Sequence, residues 1–214
     1  MAISVCLAGA TGWAGSELAR SIAAAADLTL VAAVSRTHAG RRLEEVLKEP
    51  RLTCPIYATA AEGLADGCDV FVEYTKPDVA KANILAALAR GAHVVVGTSG
   101  LTDGDYGEID GTARELASRL SKVRRPEPTV PVDATVGQRE ARGATVSASQ
   151  VHSVRLPGYV ISAEIIFGMP DQRLTIRHDS GSSARPYVDG ALLAIRKVST
   201  LVGLHRGLGA VLDL

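Results

Sequence analysis

The sequence predicts an α/β fold built on a parallel sheet, followed by a second α+β domain containing a mostly antiparallel sheet. Three observations carry this. Short apolar runs alternate with helical patterns over residues 1–100, the signature of βαβ units. The first run ends in a glycine-rich loop, Gly9-Ala10-Thr11-Gly12-Trp13-Ala14-Gly15. Beyond residue 110 the pattern changes to Pro-rich irregular chain and β-branched alternating segments.

Ile3 to Ala8 is a continuous apolar run ending at Gly9, consistent with a strand buried on both faces. Ser16 to Ala26 reads as an Ala-rich helix, and Leu28 to Val34 as a second buried strand. Arg41 to Lys48 reads as helical until Pro50 stops it. Asp69 to Tyr74 is a third strand, followed by Thr75-Lys76-Pro77; Val79 to Arg90 is a helix with Gly91 at its C-terminal cap. His93 to Val96 is a fourth strand, ending in Gly97-Thr98-Ser99-Gly100. Further on, Gly111 to Lys122 reads as a charged helix, 144–150, 159–167 and Arg173 to Arg177 as antiparallel strands, and Asp189 to Leu201 as a helix.

Composition bounds the function. The chain has 214 residues, of which 47% are hydrophobic, with 23 basic residues against 23 acidic ones. A balanced charge gives no long-range pull toward nucleic acid or an anionic membrane. No apolar run reaches the length of a bilayer span, and the N-terminus enters a strand pattern with no visible signal peptide, so a cytoplasmic location is expected. Cys6, Cys54 and Cys68 have no metal-ligand spacing; they read as buried free thiols of a reducing compartment, and no metal is expected.

The glycine loop sits between a strand and a helix, where a dinucleotide-binding loop belongs. Gly9 permits the tight turn, Gly12 lets backbone approach a pyrophosphate, and Gly15 allows helix and strand to pack closely, while the helix N-terminus faces the phosphate. This is a Rossmann-like arrangement for NADPH or NADH; the alternative is a purely structural turn. At the end of the second strand, Ser35-Arg36 stands where an acidic residue would hold the adenosine ribose. Arg36, with Arg41 and Arg42 nearby, suits a 2′-phosphate and favours NADPH; a solvated arginine face is the other reading. Tyr74, Thr75 and Pro77, and Gly97, Thr98 and Ser99, follow strand ends, where ligands of open α/β sheets bind, and are expected to flank the nicotinamide ribose and ring. Ordinary turn chemistry explains the same residue types.

Taken in order, these motifs resemble those of 4-hydroxy-tetrahydrodipicolinate reductase, the dihydrodipicolinate reductase family of lysine and diaminopimelate biosynthesis. The resemblance runs through the glycine loop, Thr75-Lys76-Pro77, Gly97-Thr98-Ser99-Gly100 and Gly111-Thr112-Ala113. It continues through His152-Ser153-Val154-Arg155-Leu156-Pro157-Gly158, Glu164, His178-Asp179-Ser180 and Arg185-Pro186-Tyr187-Val188-Asp189-Gly190-Ala191. It implies hydride transfer to a cyclic dicarboxylate, with Gly111 and Thr112 binding a substrate carboxylate and Arg185 and Tyr187 closing toward the cofactor. It also implies a dinucleotide-binding domain of residues 1–108 plus 184–214, a substrate-binding and oligomerisation domain of 109–183, and a homotetramer.

Two departures stand out. Trp13 replaces the family's usual loop arginine. The block carrying the family's catalytic His-His pair and lysine, expected between the Gly97 loop and Gly111, is absent, and no two histidines are adjacent anywhere. No residue is therefore assigned as catalytic acid, although His178 is the first substitute to consider. A nucleotide-binding protein without the family's chemistry is the alternative. Two other classes with similar loops are disfavoured. No tyrosine has Lys four positions on, as short-chain dehydrogenases require, and no cysteine lies beyond residue 68 to serve a semialdehyde dehydrogenase.

Overall fold

In a computed structural model of the chain, the described residues are 2–98, 134, 137–138, 143–146, 149–154, 157, 161–205 and 207–212. They fall into two units, Met1–Leu101 with Ser183–Leu214, and Thr102–Ser182.

The first unit carries five parallel strands: β1 (Ile3–Ala8), β2 (Leu28–Val34), β3 (Ile56–Tyr57), β4 (Val70–Glu73) and β5 (His93–Val96). Their order is β3-β2-β1-β4-β5, which places the β1 exit at the centre of the sheet, where the strand order reverses. The uninterrupted apolar runs of β1 and β4 are explained by burial on both faces. Val5 to Ala8 and Val70 to Val72 are almost completely inaccessible.

Helix α1 (Trp13–Ala24) buries Gly15, Leu18, Ala19 and Ile22, a stripe at helical spacing. Helix α5 (Arg185–Lys197) buries Val188, Ala191 and Ile195 into the same cluster, so the C-terminal segment completes the core of the first unit. Its Arg196 guanidinium donates two hydrogen bonds to Asp27, Nε to Oδ2 at 2.7 Å and Nη2 to Oδ1 at 2.9 Å. On the other face, α4 (Pro77–Ala89) buries Ala80 and Ala87. Its Leu85 and Leu88 remain 57% and 55% exposed. Among the described residues β5 pairs only with β4.

Several boundaries differ from the sequence expectations. Helices α4 and α5 start earlier, at Pro77 and Arg185, each with a proline in its first turn, where the missing N–H costs nothing. The helix expected over Arg41–Lys48 is the shorter α2 (Leu43–Leu47), closed by Lys48 in a left-handed conformation. Strand β3 and the one-turn helix α3 (Ala60–Gly63) are additional. Thr59 and Glu62 form a reciprocal capping box at the start of α3, a T-x-x-E pattern visible in the sequence.

The second unit contains two antiparallel hairpins, β6 (Ala144–Val146) with β7 (Ser149–Val151), and β8 (Ile161–Met169) with β9 (Gln172–Ser180). The segment 144–150, expected as one strand, thus contributes to two. In the β8–β9 register Ile165 faces Ile176 and Phe167 faces Leu174, so these four share one face. Leu174 and Ile176 are each about half exposed. The helix expected over Gly111–Lys122 lies outside the described residues.

Candidate dinucleotide site

The site is built at the carboxyl ends of β1, β2, β4 and β5. Gly9 has φ +79° and lies so close to the Tyr74 carbonyl that a Cβ would sit 2.4 Å from its oxygen. Gly15 is more constrained still: its Cβ would fall 2.1 Å from the Gly9 oxygen. Gly12 N–H donates to that same oxygen at 2.9 Å, and Ser16 N–H donates to Gly12. A turn this tight is closed by main chain alone and admits no side chain at positions 9 and 15.

Gly12 is the N-cap of α1. No side chain caps the helix and no acidic residue stands in its first turn. The positive end of the helix is therefore presented to an incoming anion without internal competition. Ala10 is buried beneath the loop, and Thr11 Oγ1 meets Ser35 Oγ at 2.9 Å, tying the loop to the β2 exit. Ser35 Oγ is also 3.3 Å from Thr37 Oγ1 and 3.4 Å from His38 Nδ1.

Arg36 is exposed beside this cluster and makes no ion pair among the described residues. Arg41 and Arg42, expected to assist it, are committed elsewhere. Arg41 pairs with Glu45 at 3.8 Å, and Arg42 pairs with Glu44 at 2.8 Å and donates to the Thr53 carbonyl. Each thus has an acidic partner on its own segment, and Arg36 has none among the described residues.

Trp13, at the head of α1, packs edge-on against Tyr187 in the first turn of α5. Arg185 begins that helix, its N–H donating to Ser183 Oγ at 3.1 Å. The Tyr74 ring covers Gly97, where a Cβ would come within 2.4 Å of the ring. Burial, with a smaller contribution from Tyr187, pushes the Tyr74 hydroxyl above its usual range, so it is protonated at neutral pH. The structure thus brings together the loop from Gly9 to Gly15, Ser35, Tyr74, Thr75, Gly97 and Tyr187. Pro77 opens α4, and Arg36 and Arg185 are exposed, after β2 and at the start of α5. Ser99, Gly111 and Thr112 lie outside the described residues.

One residue of this region carries no signal in the sequence. Glu73, the last residue of β4, is completely buried. Its Oε1 accepts from Thr75 N–H at 2.6 Å and from the Thr75 hydroxyl, and its Oε2 accepts from Asn83 Nδ2 at 2.8 Å. Thr98 Oγ1 donates to the Thr75 carbonyl at 3.1 Å and the Glu73 carbonyl at 3.2 Å, and lies 3.4 Å from Glu73 Oε1. Among the described residues no group of three or more His, Cys, Asp or Glu is placed to hold a metal ion, and no helix is long and apolar enough to cross a membrane.

Two family models match the chain: dihydrodipicolinate reductase, N-terminus, over residues 3–122, and dihydrodipicolinate reductase, C-terminus, over residues 108–211. Among curated relatives, the 4-hydroxy-tetrahydrodipicolinate reductase of Thermosynechococcus vestitus is 31% identical over 268 positions, covering 98% of this chain and 97% of its own. That of Bacillus cereus is 30% identical over 264 positions, covering 99% of each. The first alignment spans 268 positions against a chain of 214, so at least 54 positions of that relative have no counterpart here. A solved structure described as dipicolinate-bound dihydrodipicolinate reductase from Paenisporosarcina sp. TG-14 shares the fold. Its TM-score is 0.77 at 22% identity, over 99% of this chain and all of that one.

Proposed function

The chain belongs to the dihydrodipicolinate reductase family, and from that premise we propose that it binds NADPH in preference to NADH and reduces 4-hydroxy-tetrahydrodipicolinate to tetrahydrodipicolinate in lysine and diaminopimelate biosynthesis. The observation that carries the reading is the uncapped N-terminus of α1 above a turn whose space at Gly9 and Gly15 is already filled by main chain. That shape fits a pyrophosphate and excludes side chains that would block it. Thr11, Ala14 and Trp13 complete the cradle. Ser35 and Arg36 receive the adenosine ribose and its 2′-phosphate, which is the basis for NADPH over NADH. Tyr74, Thr75, Pro77, Gly97, Thr98 and Ser99 form the nicotinamide side, with Arg185 and Tyr187 at the rim.

When bound, the reduced nicotinamide supplies the hydride. The chain's own residues bind and orient. Gly111 and Thr112 are assigned to a substrate carboxylate, in keeping with the dicarboxylate named for the Paenisporosarcina protein. Residues 1–108 plus 184–214 form the dinucleotide-binding domain in this reading, and 109–183 the substrate-binding and oligomerisation domain. The shared apolar face of β8 and β9 supports association of further copies of this chain into a homotetramer, since a two-stranded hairpin is marginal by itself. Three free cysteines suit the cytoplasm.

A second reading is favoured by a specific observation. The chain has no adjacent histidines and at least 54 fewer positions than its alignment with the T. vestitus relative. It then binds the nucleotide without performing the reduction. Following NADPH absorbance with enzymatically generated substrate separates the two. Turnover well above background supports the reductase; tight NADPH binding without turnover supports the second reading; and absence of nucleotide binding in a folded sample overturns both.

A further inference from the structure

Glu73 is the one fully buried charged side chain among the described residues. A carboxylate taken out of water is costly, and an apolar residue of similar volume would hold a parallel strand in place more cheaply. No lysine, arginine or histidine forms an ion pair with it among the described residues. Its compensation comes from hydrogen-bond donors on two segments, Thr75 in the β4–α4 loop and Asn83 in the second turn of α4. The Thr98 hydroxyl, at the β5 exit, closes the same cluster through the carbonyls of Glu73 and Thr75. Backbone N–H donors to a carboxylate are short and directional, so the Thr75 loop is held in one conformation.

From this geometry we infer that Glu73 is a positioning residue for the nicotinamide half of the dinucleotide site, fixing the Thr75 and Thr98 loops that form its wall. The inference rests on the dinucleotide reading above and deepens it. The adenosine half is bound by other elements, the α1 N-terminus and the β2 exit, which Glu73 does not touch. Disturbing Glu73 therefore weakens the whole dinucleotide and spares its adenosine half.

The replacement Glu73→Gln keeps the shape and turns one acceptor into a donor. With its oxygen on the Thr75 side it still accepts from the Thr75 N–H, and Asn83 can turn its amide to meet the new donor with Oδ1, so the cluster stays bonded. Glu73→Leu removes both acceptors on which the Thr75 N–H and Asn83 Nδ2 converge. The experiment is calorimetric titration of wild type and variants with NADPH and with adenosine 2′,5′-bisphosphate. Glu73→Leu is expected to bind NADPH about tenfold more weakly, the size of one buried hydrogen bond left unmade, with affinity for the bisphosphate unchanged. Glu73→Gln is expected to retain most of the affinity. Asn83→Ala, which removes a donor and keeps the carboxylate, is expected to lose about threefold for NADPH alone; it carries the test if Glu73→Leu does not fold. Undiminished NADPH affinity in Glu73→Leu, or equal weakening of both ligands, overturns the positioning role while leaving the dinucleotide reading intact. Failure of wild type to bind either ligand overturns both.

Discussion

Trp13 meets Tyr187 edge to face, with ring centroids 6.1 Å apart and planes at 75°. The contact joins the head of the glycine-loop helix to the first turn of the C-terminal helix, at the rim of the proposed cofactor site. Trp13 is the only tryptophan in the chain and is half exposed, so its emission reports on this corner alone. NADPH is expected to change that emission saturably. Tyr187→Ala is expected to shift it and to weaken NADPH binding by about three- to tenfold, the worth of one aromatic pair. A flat titration under conditions where calorimetry shows binding would remove Trp13 from the site.

Gly15 tolerates nothing larger. Gly15→Ala drives a methyl group to 2.1 Å from the Gly9 carbonyl oxygen, and every atom it meets is main chain. The variant is expected to lose about 1–3 kcal/mol of stability, the usual cost of overpacking a rigid site, together with measurable NADPH binding. Denaturant unfolding and nucleotide titration check the two parts. By contrast, Gly40 has open space around a Cβ, but its φ of +81° would strain an alanine.

In the proposed reading Arg36 decides between the two nicotinamide cofactors. Its neighbours Arg41 and Arg42 are held by Glu45 and Glu44, so they do not replace it. Arg36→Ala is expected to reduce NADPH affinity about tenfold, the loss of one charge-assisted contact, and to leave NADH affinity unchanged. Parallel titrations with the two cofactors measure this, and an equal loss for both would assign Arg36 to the surface.

The pair formed by Asp27 and Arg196 gives stability a pH dependence of known sign. The side-chain hydrogen bond from Arg196 holds the Asp27 carboxyl below its ordinary 3.8. A carboxyl lowered in the folded state stabilises fully above the unfolded value, and that contribution is lost as pH falls through the folded value. Asp27→Asn is therefore expected to melt below wild type at neutral pH, with the gap closing as pH falls through and below 3.8. A gap that stays constant down to about pH 2.5 would contradict the linkage.

The sequence is most legible where one physical signal dominates. Strands β1, β2 and β5 fall on their expected residues because each is a short, largely apolar run bounded by turn residues, although only β1 and the end of β2 are deeply buried and β5 is not. The glycine loop is legible because its three glycines stand at fixed offsets after such a strand. Pro77 and Pro186 look like loop residues in a linear reading, yet each begins a helix, since a first-turn proline forfeits no hydrogen bond. Strand β3 spans only two residues, too few for alternation to register. Glu73 is the clearest case of hidden information. An acidic residue at the end of an apolar strand reads as the exit to solvent, and only the arrival of Thr75, Asn83 and Thr98 from other segments makes it an interior group.

The bond between Asp27 and Arg196 spans 169 positions of sequence, and the helix bearing Arg196 supplies part of the core that α1 needs. During synthesis, Leu18 and Ile22 emerge long before Val188 and Ile195 exist to cover them. At about 5–20 residues per second, that interval lasts roughly 10–30 seconds. For this time the nascent N-terminal segment carries an open apolar seam, and Leu18 and Ile22 wait for a cover that only the distant C-terminal helix supplies.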